Sequence, residues 1–239
     1  LSMSLVISTP LVYAYQAPVA SVTAMASDNF SVLGDVLQPL SRDTNRLYYA
    51  DFQGQGSSTD AGILSLGLGL RQLVHNKSVL GGYFFVDRER SSNKDYYTVL
   101  GPGVEMLTQT WRFRLNGYFP VGDKEYLVAQ GWADEFGNYE YVDPHDNQID
   151  DTWAYLYNSI SYGGDFSVAY RFATDDHWEL ELRPYAYNQD YNNDLVGANA
   201  QVTFYNNDYG SVFIGDGYDN VNHNRIYAGV TFNFGKRNT

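Results

Sequence analysis

Residues 62–73 read GILSLGLGLRQL, and their spacing decides the fold. Leu64, Leu66, Leu68 and Leu70 fall on one face, with Ser65, Gly67, Gly69 and Arg71 on the other, the two-residue period of a β-strand. The split recurs in WRFRLNGYF, where Trp111, Phe113, Leu115, Gly117 and Phe119 oppose Arg112, Arg114, Asn116 and Tyr118. A helix would scatter those arginines around its circumference. In HWELELRPY, Trp178, Leu180, Leu182 and Pro184 oppose Glu179, Glu181, Arg183 and Tyr185. VGANAQVTF separates Val196, Ala198, Ala200, Val202 and Phe204 from Gly197, Asn199, Gln201 and Thr203. Near the end, Ile226, Ala228, Val230, Phe232 and Phe234 face away from Tyr227, Gly229, Thr231 and Asn233.

Soluble sandwiches alternate too, so the second face discriminates. Here it carries small residues and charges of both signs, while the bulky apolar face recurs on about a dozen strands. That volume overfills the inside of a small closed barrel and suits lipid outside it. The pattern predicts an all-β fold: an antiparallel transmembrane outer-membrane β-barrel of about 12 strands. The predicted strands cover 31–40, 45–54, 62–73, 78–87, 95–107, 110–120, 152–161, 163–172, 177–188, 196–205, 209–220 and 224–235. Leu64, Leu66, Leu68, Leu70, Trp111, Phe113, Leu115, Phe232 and Phe234 are expected to face lipid. Arg71, Glu105, Arg112, Arg114, Arg171, Glu179, Glu181 and Arg183 are expected to line the lumen, where pairing across strands offsets desolvation. The plain function of such a lining is cross-bracing; the sharper alternative is a charge-selective channel for ions or small solutes.

The remaining properties fit. The chain of 239 residues has Tyr 22, Phe 13 and Trp 4, so 16% is aromatic, as the interfacial girdles of barrels require. No stretch reaches the ~18 to 20 apolar residues of a helical span, so any crossing is made by strands. A mean hydropathy of −0.38 is no objection, because a barrel shows lipid only alternate residues. The net charge of −13, with Asp concentrated between the alternating segments, argues against a nucleic-acid partner and predicts solvated acidic loops.

The apolar start LSMSLVISTPLVYA fits a signal-peptide remnant over 1–14, followed by a periplasmic lead-in over 15–30, the barrel over 31–235 and a tail over 236–239. With an even strand count both termini are periplasmic, and so then is the long polar connection 121–151. Long loops are normally extracellular. Two explanations stand: a strand missed before residue 121, or an unusual periplasmic insertion. Short strand extensions are expected at 126–133 and 139–142.

With the strands in place, GDVLQPL, GLGLRQL, LGGYFFVDRERSSNKDYYTVLGPGVEM and RFRLNGYFPVG, in that order and spacing, resemble the β-barrel domain of the intimin and invasin family, the inverse autotransporters. The segment DTWAYLYNSISYGGDFSVAYRF looks like the family's next hairpin, and the resemblance covers roughly 31–235, with its specificity in the first half. It implies a twelve-stranded barrel that anchors a protein in the outer membrane and passes a C-terminal adhesive passenger through its lumen. Only GKRNT follows Phe234, so the passenger is expected to be absent from this chain. Implied partners are membrane lipid and lipopolysaccharide, the barrel-assembly machinery, whose signal the aromatic last strand resembles, and a host or bacterial surface reached through a passenger. A monomer is expected, since a closed barrel leaves no strand edge. The alternative function is a stand-alone porin-like channel.

No enzyme chemistry, metal or cofactor is expected. DPHDNQIDD at 143–151 and TDDHW at 174–178 lack the EF-hand pattern and read as turns. His75, His145, His177 and His223 fall in predicted turns or loops, and no Ser lies in a G-x-S-x-G context.

Overall fold

The computed structural model describes residues 19–41, 45–75, 78–132, 153–159, 161–172, 177–188, 194–207, 209–221 and 223–234. Its first seven strands are β1 (Val19–Ala26), β2 (Phe30–Pro39), β3 (Arg46–Ser57), β4 (Gly62–Val74), β5 (Ser78–Arg90), β6 (Tyr96–Thr108) and β7 (Trp111–Val121). After β8 (Glu125–Trp132) and β9 (Trp153–Ser159) come β10 (Gly163–Arg171), β11 (Trp178–Tyr187), β12 (Leu195–Asn207), β13 (Gly210–Asp219) and β14 (His223–Phe234). Twelve of these close an antiparallel barrel, in which β7 pairs directly with β10 and β1 joins β14; β8 and β9 form a separate two-stranded sheet.

The count of twelve agrees with the alternation, but its membership differs in two places. Residues 19–26, expected within a periplasmic lead-in, form β1, which fills the gap between β2 and β14. Residues 152–161, expected in the wall, instead contain β9, paired with β8. The hairpin expected over 152–172 therefore does not exist: β10 pairs with β7 and β11. The β8–β9 sheet prolongs the β7–β10 hairpin beyond the wall, in a register shifted past Gly122, whose φ of 79° suits glycine.

Adding β1 resolves the sidedness conflict. Call the end holding residues 19 and 234 the near end. Seven barrel strands now precede the long connection, so it leaves from the far end, with the β1–β2, β3–β4 and β5–β6 turns. Of the two explanations, a further strand before residue 121 is the one that holds, and that strand is β1. The expected leader, the tail, the 139–142 extension, His145 and the 143–151 cluster lie outside the described residues, as do 174–176 of the second acidic segment.

Exposure alternates along the strands. Leu64, Leu66, Leu68 and Leu70 are exposed on the outer face of β4, whereas Ser65 and Arg71 are buried inside. Trp111, Leu115, Phe232 and Phe234 are likewise exposed, and Phe113 is half-buried with its ring stacked on Trp111 at 5.9 Å. Among the described residues, a small inner cluster of buried Leu37, Leu47 and Tyr49 forms, against which Tyr83 packs.

Candidate functional site: the charged inner wall

The inner side chains of β4 to β11 form three groups of ion pairs. Arg71 on β4 donates from Nε to Glu105 Oε1 on β6 at 2.6 Å, and Arg114 on β7 approaches Glu105 Oε2 at 3.4 Å. All three are buried. Arg112 reaches two strands over to β11, donating from Nη2 to Glu179 Oε1 at 2.8 Å and Glu181 Oε2 at 2.7 Å. Arg171 on β10 stands 3.6 Å from Glu179 Oε2 and lies over the Tyr205 ring. Higher in the wall, Arg183 Nη2 donates to Asp165 Oδ2 at 2.6 Å. Asp165 also accepts from Asn116 Nδ2 at 2.9 Å and from the Tyr118 hydroxyl at 2.6 Å. The structure brings all eight charged positions read from the sequence into these ion pairs.

The pairs named above join strands that are adjacent or next but one. They run along the circumference and brace the wall, rather than spanning the bore. Strand alternation turns these arginines inward, and the order of strands around the barrel sets carboxylates within reach one or two strands to the side.

Sequence reading missed the other half of the wall. Asp35, Gln53, Ser65 and Asp87 are direct cross-strand neighbours on β2, β3, β4 and β5, and all are buried. Asp51 lies one step below, its Oδ1 accepting from Gln53 Nε2 at 3.4 Å. These residues sit in strands whose polar positions are isolated, so only the register reveals the row. Also invisible without register is the packing of inner rings over glycine. Tyr49 faces Gly69 and Tyr83 faces Gly103 across paired strands, so closely that a Cβ on either glycine would collide with the ring.

Of the described histidines, His75 and His177 occupy turns, and His223 opens β14. His177 stacks on Phe204 and His223 lies near Tyr218.

Residues 18–134 match the family described as inverse autotransporter, beta-domain. The match begins within one residue of β1 and covers just under half of the chain, the part that holds the distinctive motifs. No curated protein matches the sequence significantly. Among solved structures, one from work on the in-meso crystallization of membrane proteins aligns with TM-score 0.70 and 18% identity, covering 93% of this chain and 83% of that one. A KdgM porin aligns with TM-score 0.56 and 8% identity, over 91% of this chain and 99% of the porin. Outer membrane phospholipase A from Escherichia coli aligns with TM-score 0.52 and 10% identity, over 93% and 98%. At such identities these likenesses speak for the fold alone.

Proposed function

We propose, from the premise that residues 18–134 are an inverse autotransporter β-domain and the chain is a β-barrel of the bacterial outer membrane, that it anchors an adhesive passenger and carries it to the surface. The family match carries this reading. The near end faces the periplasm, and the far end, with the 122–162 connection, faces outward. The exposed leucine and aromatic face meets lipid, and the ion-paired face lines the lumen. Closure of β1 on β14 leaves no open edge in the wall, which supports a monomer.

The role is structural rather than catalytic. Glu105, Glu179 and Asp165, the carboxylates at the heart of the inner wall, are each held by arginine, which suits bracing. Phospholipase activity is a property of the phospholipase A structures and is not transferred.

The test is a reporter domain fused after residue 234 and expressed in a Gram-negative host. Surface labelling of the reporter on intact cells is the expected result. A folded barrel with the reporter retained in the periplasm sinks the translocation reading. A second reading, a stand-alone channel, draws on the circumferential course of the ion pairs, which do not cross the bore. Planar-bilayer conductance separates the two: a stable open channel favours the pore, and a silent barrel the anchor.

A further inference from the structure

Basic residues at the far end are gathered on one sector of the outer surface. Arg88 and Arg90 continue the outward row of Leu80, Phe84 and Val86 on β5, Lys94 sits in the β5–β6 turn, and Lys124 follows β7. Thr98 pairs with both Arg88 and Val121, which brings Lys124 close to the height of Arg90 two strands away. Between residues 121 and 162, Lys124 is the sole Lys or Arg in the sequence. The far-end turns at Asp28 and Asp60 are acidic, and Arg225 is turned inward, 3.8 Å from Asp219. Asp95, Asp123 and Glu125 lie in the same stretches of sequence, so cations are in excess there by four to three.

Arg88 is fixed by donation from Nη1 to Thr98 Oγ1 at 2.7 Å, and its guanidinium lies 5.3 Å from the Tyr96 ring centroid. Arg90 Nε is buried without a hydrogen-bond partner. Among the described residues, none of Arg88, Arg90, Lys94 and Lys124 is in an ion pair. Directly below lie exposed Phe84, Val86 and Phe119. From Ser78 to Arg88 the strand climbs about 25 Å at roughly 3.3 Å per residue and a tilt of about 40°, the height of the lipid-facing band. The guanidiniums therefore stand at the headgroup level above an apolar slope.

We propose that the outer rim of β5–β7 is a docking site for the phosphorylated glycolipid of the outer leaflet, lipopolysaccharide. Its acyl chains lie along Phe84, Val86 and Phe119, and its phosphates meet Arg88, Arg90, Lys94 and Lys124. The proposal rests on the reading that the far end faces outward. It explains how a chain of net charge −13 sits among anionic glycolipids: one sector attracts what the acidic loops repel.

Native mass spectrometry of the full chain in detergent, titrated with bisphosphorylated lipid A, tests it. The single variants R88Q and K124Q are expected to weaken binding about fivefold each, and the quadruple variant R88Q/R90Q/K94Q/K124Q far more. The near-end variant R46Q is expected to leave binding unchanged, and lipid A stripped of its phosphates to bind the wild type as weakly as the quadruple variant. Unchanged affinity in the single variants, or equal binding of the dephosphorylated lipid, overturns the site. Labelling of Lys94 in cells separates the underlying orientation: labelling only after the outer membrane is permeabilised overturns the outward far end, and with it the docking role, whatever the binding in detergent.

Discussion

Arg71 and Glu105 meet at 2.6 Å across an intervening strand, and the same carboxylate is 3.4 Å from Arg114, so one buried acid serves two buried guanidiniums. Removing the acid leaves both cations without it inside the wall. Glu105→Gln is expected to destabilise the barrel by about 3 to 5 kcal/mol, the usual cost of breaking a buried pair from one side. The double variant Glu105→Gln/Arg71→Gln is expected to recover part of the loss, because one uncompensated charge disappears. Urea titration in lipid vesicles, followed by tryptophan fluorescence, checks both; a single variant as stable as wild type contradicts the bracing role.

Gly69 lies beneath the Tyr49 ring, and Gly69→Ala places a methyl group where that ring stands. Overpacking of this kind costs about 1 to 3 kcal/mol. Tyr49→Ala in the same chain is expected to remove the clash, so that the two substitutions are less than additive. A double-mutant cycle by the same urea titration measures the coupling, and strict additivity rules the contact out.

The outer face is expected to respond to charge by depth. Leu68 stands midway along β4, while Leu64 is directly opposite Arg88 at the upper edge. Leu68→Arg is expected to cost about 2 to 4 kcal/mol and Leu64→Arg about 0 to 1 kcal/mol in a bilayer. Equal costs at the two positions would show that this face does not meet lipid.

How far the sequence carried these conclusions follows from side-chain contrast. In β4 and β7 leucine, tryptophan and phenylalanine oppose glycine and arginine, so the two-residue period is plain and the faces can be read directly. In β1, VASVTAMA, inner Ser21 and Thr23 oppose outer Ala20, Val22 and Ala24; the residues on both faces are small, and the strand passes for a linker. In β9, WAYLYNS, aromatic residues alternate as in a wall strand although the segment pairs with β8. The wall therefore keeps twelve strands, with β1 in it and β9 outside it. Which acid each arginine meets depends on circumferential order, which no single strand encodes. The row of Asp35, Gln53, Ser65 and Asp87 has the same cause.

Two deletions are expected to have opposite outcomes, and together they test the topology. Replacing 122–162 by a tight turn removes β8 and β9 but leaves the β7–β10 ladder, which runs from Trp111↔Tyr170 to Tyr118↔Gly163. The barrel is expected to form, and parent and variant are both expected to show heat-dependent migration in gels. Deleting 19–26 removes β1, whose two ladders hold β2 and β14 together. Closure then requires β14 to pair with β2 directly, which changes the tilt and stagger that a given strand number imposes, or else leaves two open edges in lipid. No heat-modifiable species is expected from that deletion. If the β1 deletion folds as well as the parent, residues 19–26 are a lead-in after all and the wall closes without them.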